Sequence, residues 1–201
     1  MPFHKISNFK FQISNLGNGY TLIEFLVVLG LLVITIGSTL LFLTSILRGT
    51  NQTNVANEVK QNGQAVLDSL ERQIRGARSA VDMASLPPGV SDGIVLTLAD
   101  NSNLYIGCLN TTTAPLLNNA IGVKTGTPPS SANDYQTVTN RDPVSGINIT
   151  GCSLSVPAPV STLNADEVVI SFTADRAIKA PTRADFNASA RFQTTISLRK
   201  Y

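Results

Sequence analysis

From Phe25 to Leu47 the chain runs for 23 residues without a charge. As an α-helix, such a run spans about 34 Å at about 1.5 Å per residue, enough to cross a bilayer core of about 30 Å. No second run of this kind follows, so the fold must combine one apolar rod with whatever the remainder builds. Lys5 and Lys10 precede the run, with His4 beside them, and Arg48 follows it. The tendency of basic residues to stay on the cytoplasmic side puts Met1 inside and the large C-terminal part outside. A secretory signal peptide has a shorter apolar core, followed by a small-residue cleavage site. Here the small residue, Gly19, precedes the run. A plain signal anchor accounts for the length and orientation but not for Glu24. A charge near the centre of a bilayer costs about 3 kcal/mol on insertion scales, so this carboxylate at the head of the run calls for a partner.

The stretch Gly19-Tyr20-Thr21-Leu22-Ile23-Glu24-Phe25-Leu26-Val27 resembles the cleavage and methylation motif of type IV prepilins and type II secretion pseudopilins. The resemblance implies that a prepilin peptidase cuts between Gly19 and Tyr20 on the cytoplasmic side. The same enzyme would then methylate the new terminal amine of Tyr20. Residues 1–19 are on this reading a cytoplasmic leader peptide, and residues 20–47 the transmembrane and filament-core part of a helix. The implied fold is α+β and pilin-like, with a long N-terminal helix packed on an antiparallel β-sheet head. The implied partners are other pilin subunits, the peptidase and an inner-membrane assembly platform. The protein would reside in the cytoplasmic membrane with its head outside, then in an extracellular or periplasmic filament. Two positions depart from the family pattern: Phe is usual where Tyr20 stands, and many members have Pro where Leu41 stands. Gly37-Ser38 offers a weak point in the helix instead.

Glu24 lies four residues after Tyr20, about one helical turn, so the freed amine and the carboxylate share a face. Methylation keeps the amine cationic. By the family's arrangement the pair is intramolecular in a monomer and joins neighbouring subunits in a filament. An unpaired carboxylate in a bundle of apolar helices is heavily penalised, so such a pair selects axial register. The plainer alternative is an interfacial Glu with no partner.

A second pattern begins after the apolar run. Val55, Val59, Val66, Leu67, Leu70, Ile74, Ala77 and Val81 recur at helical spacing and form one stripe. Residues 48–86 thus read as an amphipathic continuation of the helix, ended by Pro87-Pro88-Gly89. Arg72, Arg75 and Arg78 recur every three residues near its end. They suit either an anionic partner such as a DNA backbone or an ordinary solvated face, which Glu71 and a helix C-terminus favour. The second is preferred, since three cations supply few phosphate contacts.

Residues 90–201 read as a β-rich head. Residues 94–99 and 104–108 form a hairpin around Asp100-Asn101-Ser102-Asn103, a turn that lacks the other ligands of a calcium loop. Residues 146–156, 168–173 and 192–198 are further strands, the last with Phe192, Thr194, Ile196 and Leu198 on one face. Residues 110–135 read as a long surface loop and the place for partner-specific features. Cys108 and Cys152 suit a disulfide in an oxidising compartment, or alternatively two buried thiols.

The only histidine is His4, inside the segment expected to be removed. A mature chain without histidine has no Ser-His-Asp or Cys-His site and no His-ligated zinc. There is no phosphate-binding glycine loop, and adjacent Asp166 and Glu167 face opposite sides of a strand. No enzyme activity, cofactor or metal is expected. Net charge is +2, and apart from Lys5 and Lys10 the chain holds 13 basic and 13 acidic residues. Such a neutral body gives no support to general nucleic-acid binding. The leading expectation is a structural filament subunit. A tip-located adhesion or DNA-uptake subunit, a secretion pseudopilin and, least supported, a tethered enzyme are the alternatives.

Overall fold

The computed structural model describes residues 21–110, 117–158, 166–183 and 186–198. Gly19 and Tyr20 lie outside the described residues. The chain divides into two compact units, Met1–Ser45 and Ile46–Tyr201, and one helix, α1, Leu22–Arg75, passes through the boundary between them. Its start follows from a single side chain. The Thr21 hydroxyl accepts the Glu24 amide at 3.3 Å, and the Phe25 amide bonds the Thr21 carbonyl at 3.1 Å. Thr21 thereby satisfies helix-start donors that would otherwise lack partners.

Among the described residues eight strands follow, all paired antiparallel: β1 Ala77–Asp82, β2 Val90–Leu98, β3 Asn103–Leu109, β4 Ala120–Thr125, β5 Gln136–Thr137, β6 Ile147–Ser155, β7 Glu167–Arg176 and β8 Ser189–Ser197. They form two sheets, one in the order β1-β2-β3-β4-β5 and one in the order β6-β7-β8. The architecture is therefore α+β, with a long helix against antiparallel sheets.

The sequence expectation is corrected at the end of the helix. Helix α1 stops at Arg75 rather than near residue 86, and Gly76 bonds back only to the Gln73 carbonyl. Residues 77–82 are strand β1, paired with β2 from Ala77↔Leu98 to Asp82↔Ile94. The helical spacing of Ala77 and Val81 was coincidental: Ala77 is buried as a strand residue, whereas Val81 is 58% exposed. Pairing with a nine-residue strand outweighs a helical pattern that must pass Gly76, among the poorest helix formers. Ordered head structure thus begins before residue 90, and Arg78 sits on β1, not on the helix.

The stripe upstream of Gly76 packs as expected from Val59 onward, whereas Val55 is only half-buried and lies outside the core. Val59, Val66, Leu67, Leu70 and Ile74 join Ile94, Leu96, Ile106, Ile121, Ile170, Phe172 and Ile196 in one core drawing on both sheets. Gly63 lies in the same stripe. A Cβ there would stand 2.2 Å from Phe192 Cε2, and the Phe192 ring is stacked on Phe172 at 5.1 Å between centroids. Gly63→Val is expected to cost about 1–3 kcal/mol by overpacking, although valine is the better helix former. Chemical denaturation should show a smaller cost in a Phe192→Ala background. An equal cost in both would mean that the ring is not the obstacle.

The hairpin β2–β3 forms at the expected place. Asn101 takes φ 63°, and the Asp100 carboxylate accepts the Ser102 amide and hydroxyl. Those bonds favour the ionised carboxylate and hold its pKa below the ordinary carboxylate range, and they make the segment a turn. The expectation of a surface loop over 110–135 is corrected. Residues 111–116 lie outside the described residues, but β4 is paired with β3 and Ile121 is fully buried. Ala132 and Tyr135 cover the other face of this sheet with Val90, Tyr105 and Leu109. Gly122 and Gly107 permit this, because a Cβ at either position would crowd Tyr135. Burial pushes the Tyr135 hydroxyl up to about 12. Deleting this segment would remove a core strand, not an appendage.

Polar groups join the β6 edge of the second sheet to the strand ends of the first. The β6 amides of Leu154 and Ile149 donate to Asp92 Oδ2 and the Asn119 carbonyl. Just beyond the strand, the Val156 amide donates to Asp82 Oδ1 at 2.8 Å. Asn119 returns its own amide to Asn148 Oδ1 at 2.9 Å. Cys108 on β3 and Cys152 on β6 are joined by a disulfide, with Cα atoms 5.9 Å apart.

Candidate assembly segment

The residues expected to act in assembly lie on the first unit, residues 21–45 of those described. Its helix carries an 18-residue window of mean hydropathy 2.7, none of it buried. Phe25, Leu31, Val33, Ile34, Leu41 and Phe42 are each at least 60% exposed. A rod apolar all round has no face to give to water. The hydroxyls of Thr35, Ser38, Thr39 and Thr44 bond carbonyls of their own helix. The Thr35 hydroxyl bonds the Leu31 and Leu32 carbonyls, and Thr44 bonds Leu41. Ser38 and Thr39 both bond the Thr35 carbonyl, at 2.9 and 2.7 Å. Hydroxyls satisfied within their own helix suit a medium that offers no hydrogen bonds. The double load on the Thr35 carbonyl falls beside Gly37-Ser38, where such bonds tend to bend a helix.

Glu24 is in the first turn of α1, exposed, and its carboxylate has no hydrogen-bond or ionic partner among the described residues. The positive end of the helix favours an acid there. Thr21 and Glu24 also fit the Thr-x-x-Glu spacing of a helix start, a second signal in the same tetrapeptide. Its structural counterpart is the bond from the Glu24 amide to Thr21. In the sequence Thr21 stands out only as part of the motif, although that spacing also announces a cap.

The arginine row is not one surface motif. Arg75 is held by Glu71, with Nη2 2.6 Å from the carboxylate. Arg78, on β1, donates to Asn101 Oδ1 at 3.4 Å. Only Arg72 of the three is exposed without a bond or ion pair among the described residues. A surface pair one turn apart contributes roughly 0.3–0.5 kcal/mol to the helix.

Chemistry-bearing groups in the head are sparse. One cleft of about 440 Å³ is lined by Glu58, Asn62, Ser69, Thr139 and Asn140, and another of about 310 Å³ by Val55, Glu58, Arg176 and Phe186. Among the described residues no three of His, Cys, Asp and Glu come together. The Asp134 carboxyl is lowered to about 2 by Ser130 and Ser131, whose hydroxyl and amides it accepts, with Lys124 3.7 Å away. It caps the short helical turn 132–134, a structural task. No family model, curated protein or solved structure matches this chain.

Proposed function

We propose that the chain is a structural subunit of a type IV pilus-like filament, released from its leader at Gly19-Tyr20 and assembled through the N-terminal half of α1. The observation that carries this reading is a coincidence of position. A pilin-like Thr-Leu-Ile-Glu opens a capped helix, and an apolar segment with no buried residue follows immediately. Such a segment needs a membrane before assembly and neighbouring helices after it. The disulfide supports an extracytoplasmic head.

In this mechanism the leader's lysines hold residues 1–19 in the cytoplasm. Cleavage frees an ammonium on Tyr20 one turn from Glu24, and the two neutralise each other at the membrane edge. During assembly Glu24 exchanges this partner for the amine of an adjacent subunit. Sliding by a turn would leave both charges unpaired among apolar helices, which fixes the register. Membrane-extracted protein, examined by intact mass and N-terminal sequencing, is expected to begin at Tyr20 with an added methyl group. A polypeptide that retains Met1 and an intact Gly19-Tyr20 bond would overturn the proposal.

A further inference from the structure

We infer that the free edge of β8 pairs with the same strand of a second copy, antiparallel and centred on Gln193, to make a continuous six-stranded sheet. The inference does not rest on the filament reading. It comes from how the sheet edges are treated. The β6 edge is occupied by Asp92 and the Asn119 carbonyl. On β1 the Ala80 amide is taken by Asp166 Oδ2, and β5 is only two residues long. Edges blunted in these ways resist pairing with other chains. Among the described residues the β8 edge has no such protection. It is nine residues long, free of Pro and Gly, and runs without a register break along β7.

Which groups face outward follows from bonds at its two ends. The Leu198 amide donates to the Asp166 carbonyl, and the Arg176 amide to the Ala188 carbonyl. Even-numbered residues of β8 therefore bond β7, and Ser189, Arg191, Gln193, Thr195 and Ser197 direct their amides and carbonyls away from the sheet. None of these outward groups has a bond among the described residues, and all five side chains are exposed. Only an extended polypeptide presents donors and acceptors at the matching spacing.

The edge complements itself. Arg191 is the only charged residue of the strand. A two-fold axis at Gln193 sets Arg191 against Thr195 of the other copy and uses every outward residue from 189 to 197. Centring on Arg191 would oppose like charges, a destabilising arrangement. Phe192, half-buried in one copy, would meet Thr194 of the other. This contact closes on itself, so it pairs two subunits or two assemblies and cannot extend a filament. Its area is small, which places the affinity in the range of weak and transient contacts.

The test uses the full chain in detergent, with single cysteines added beside the native disulfide. Gln193→Cys is expected to form a disulfide-linked dimer under mild oxidation, because residue 193 meets itself at about 5.5 Å between Cα atoms. Arg191→Cys and Thr195→Cys should each cross-link poorly alone and readily when mixed. Gln193→Pro removes an outward amide and leaves the bonds to β7 intact; sedimentation should show the dimer lost at unchanged circular dichroism. Gln193→Lys, which sets two cations face to face, should weaken the dimer most at low salt. A chain monomeric at all concentrations, equal cross-linking from 191, 193 and 195, or a dimer unaffected by Gln193→Pro and Gln193→Lys would each overturn the inference.

Discussion

Glu24→Val is expected to leave the protein inserted in the membrane and to remove it from the filament fraction. Valine suits the apolar surroundings, so insertion should be unchanged or improved. On the proposed assembly, what disappears is the partner of the Tyr20 amine. Removing one member of a buried charge pair costs about 3–5 kcal/mol, because the other is left uncompensated. At about 1.4 kcal/mol per tenfold change, incorporation should fall by roughly 100-fold or more. Glu24→Asp keeps the charge on a shorter stem and should be impaired less. Sheared filaments and membranes, assayed separately for the subunit, give the ratio. Unchanged incorporation of Glu24→Val would remove the electrostatic account of register, even if cleavage at Gly19 were demonstrated. Glu24 is exposed and its carboxylate has no partner among the described residues, which leaves it accessible to the amine of a neighbour on the proposed assembly.

The second large effect concerns the head. Joining Cys108 to Cys152 closes a loop across 44 positions of sequence and ties β3 to β6. In the chain-entropy model a loop of this length is worth about 4 kcal/mol. For a domain of this size, about 1 kcal/mol corresponds to roughly 2–4 °C, so Cys108→Ser with Cys152→Ser should lower the thermal midpoint by roughly 8–16 °C. The loss should fall on the junction of the sheets, where the remaining links are polar bonds through Asp82, Asp92 and Asn119. Thermal unfolding by circular dichroism, with the wild type measured beside the double variant, provides the check. A shift below about 2 °C would show that those polar bonds and the shared core suffice without the crosslink.

Several elements were legible because their signals are local. The hairpin at Asp100-Asn101-Ser102-Asn103 announces itself through residues that tolerate a left-handed turn. The stripe Val59, Val66, Leu67, Leu70 and Ile74 is helical in period and buried in fact. Strands β7 and β8 show the expected alternation, with Val168, Ile170, Phe172 and Ile196 inside. The errors share a different cause. Strand β4 was missed because Ala120-Ile121-Gly122-Val123 is short and includes a glycine. That glycine is needed only because Tyr135 lies against it. The helix end was misplaced because Ala77 fits either periodicity, and only its pairing with Leu98 decides between them.

Local order along the chain therefore established the apolar rod, the place where it begins, the seam of the second helical half and most of the strands, since each rests on residues within a few positions of one another. It also held the motif from which a filament role is proposed. The division of the strands into two sheets, the closure of one edge by carboxylates and the openness of another depend on groups far apart in sequence, such as Asp92 with Leu154 and Asp166 with Ala80. Hydrogen bonds of that kind leave no periodicity to read. They exist only once the chain has brought its distant segments together, and packing alone selects which backbone groups remain free.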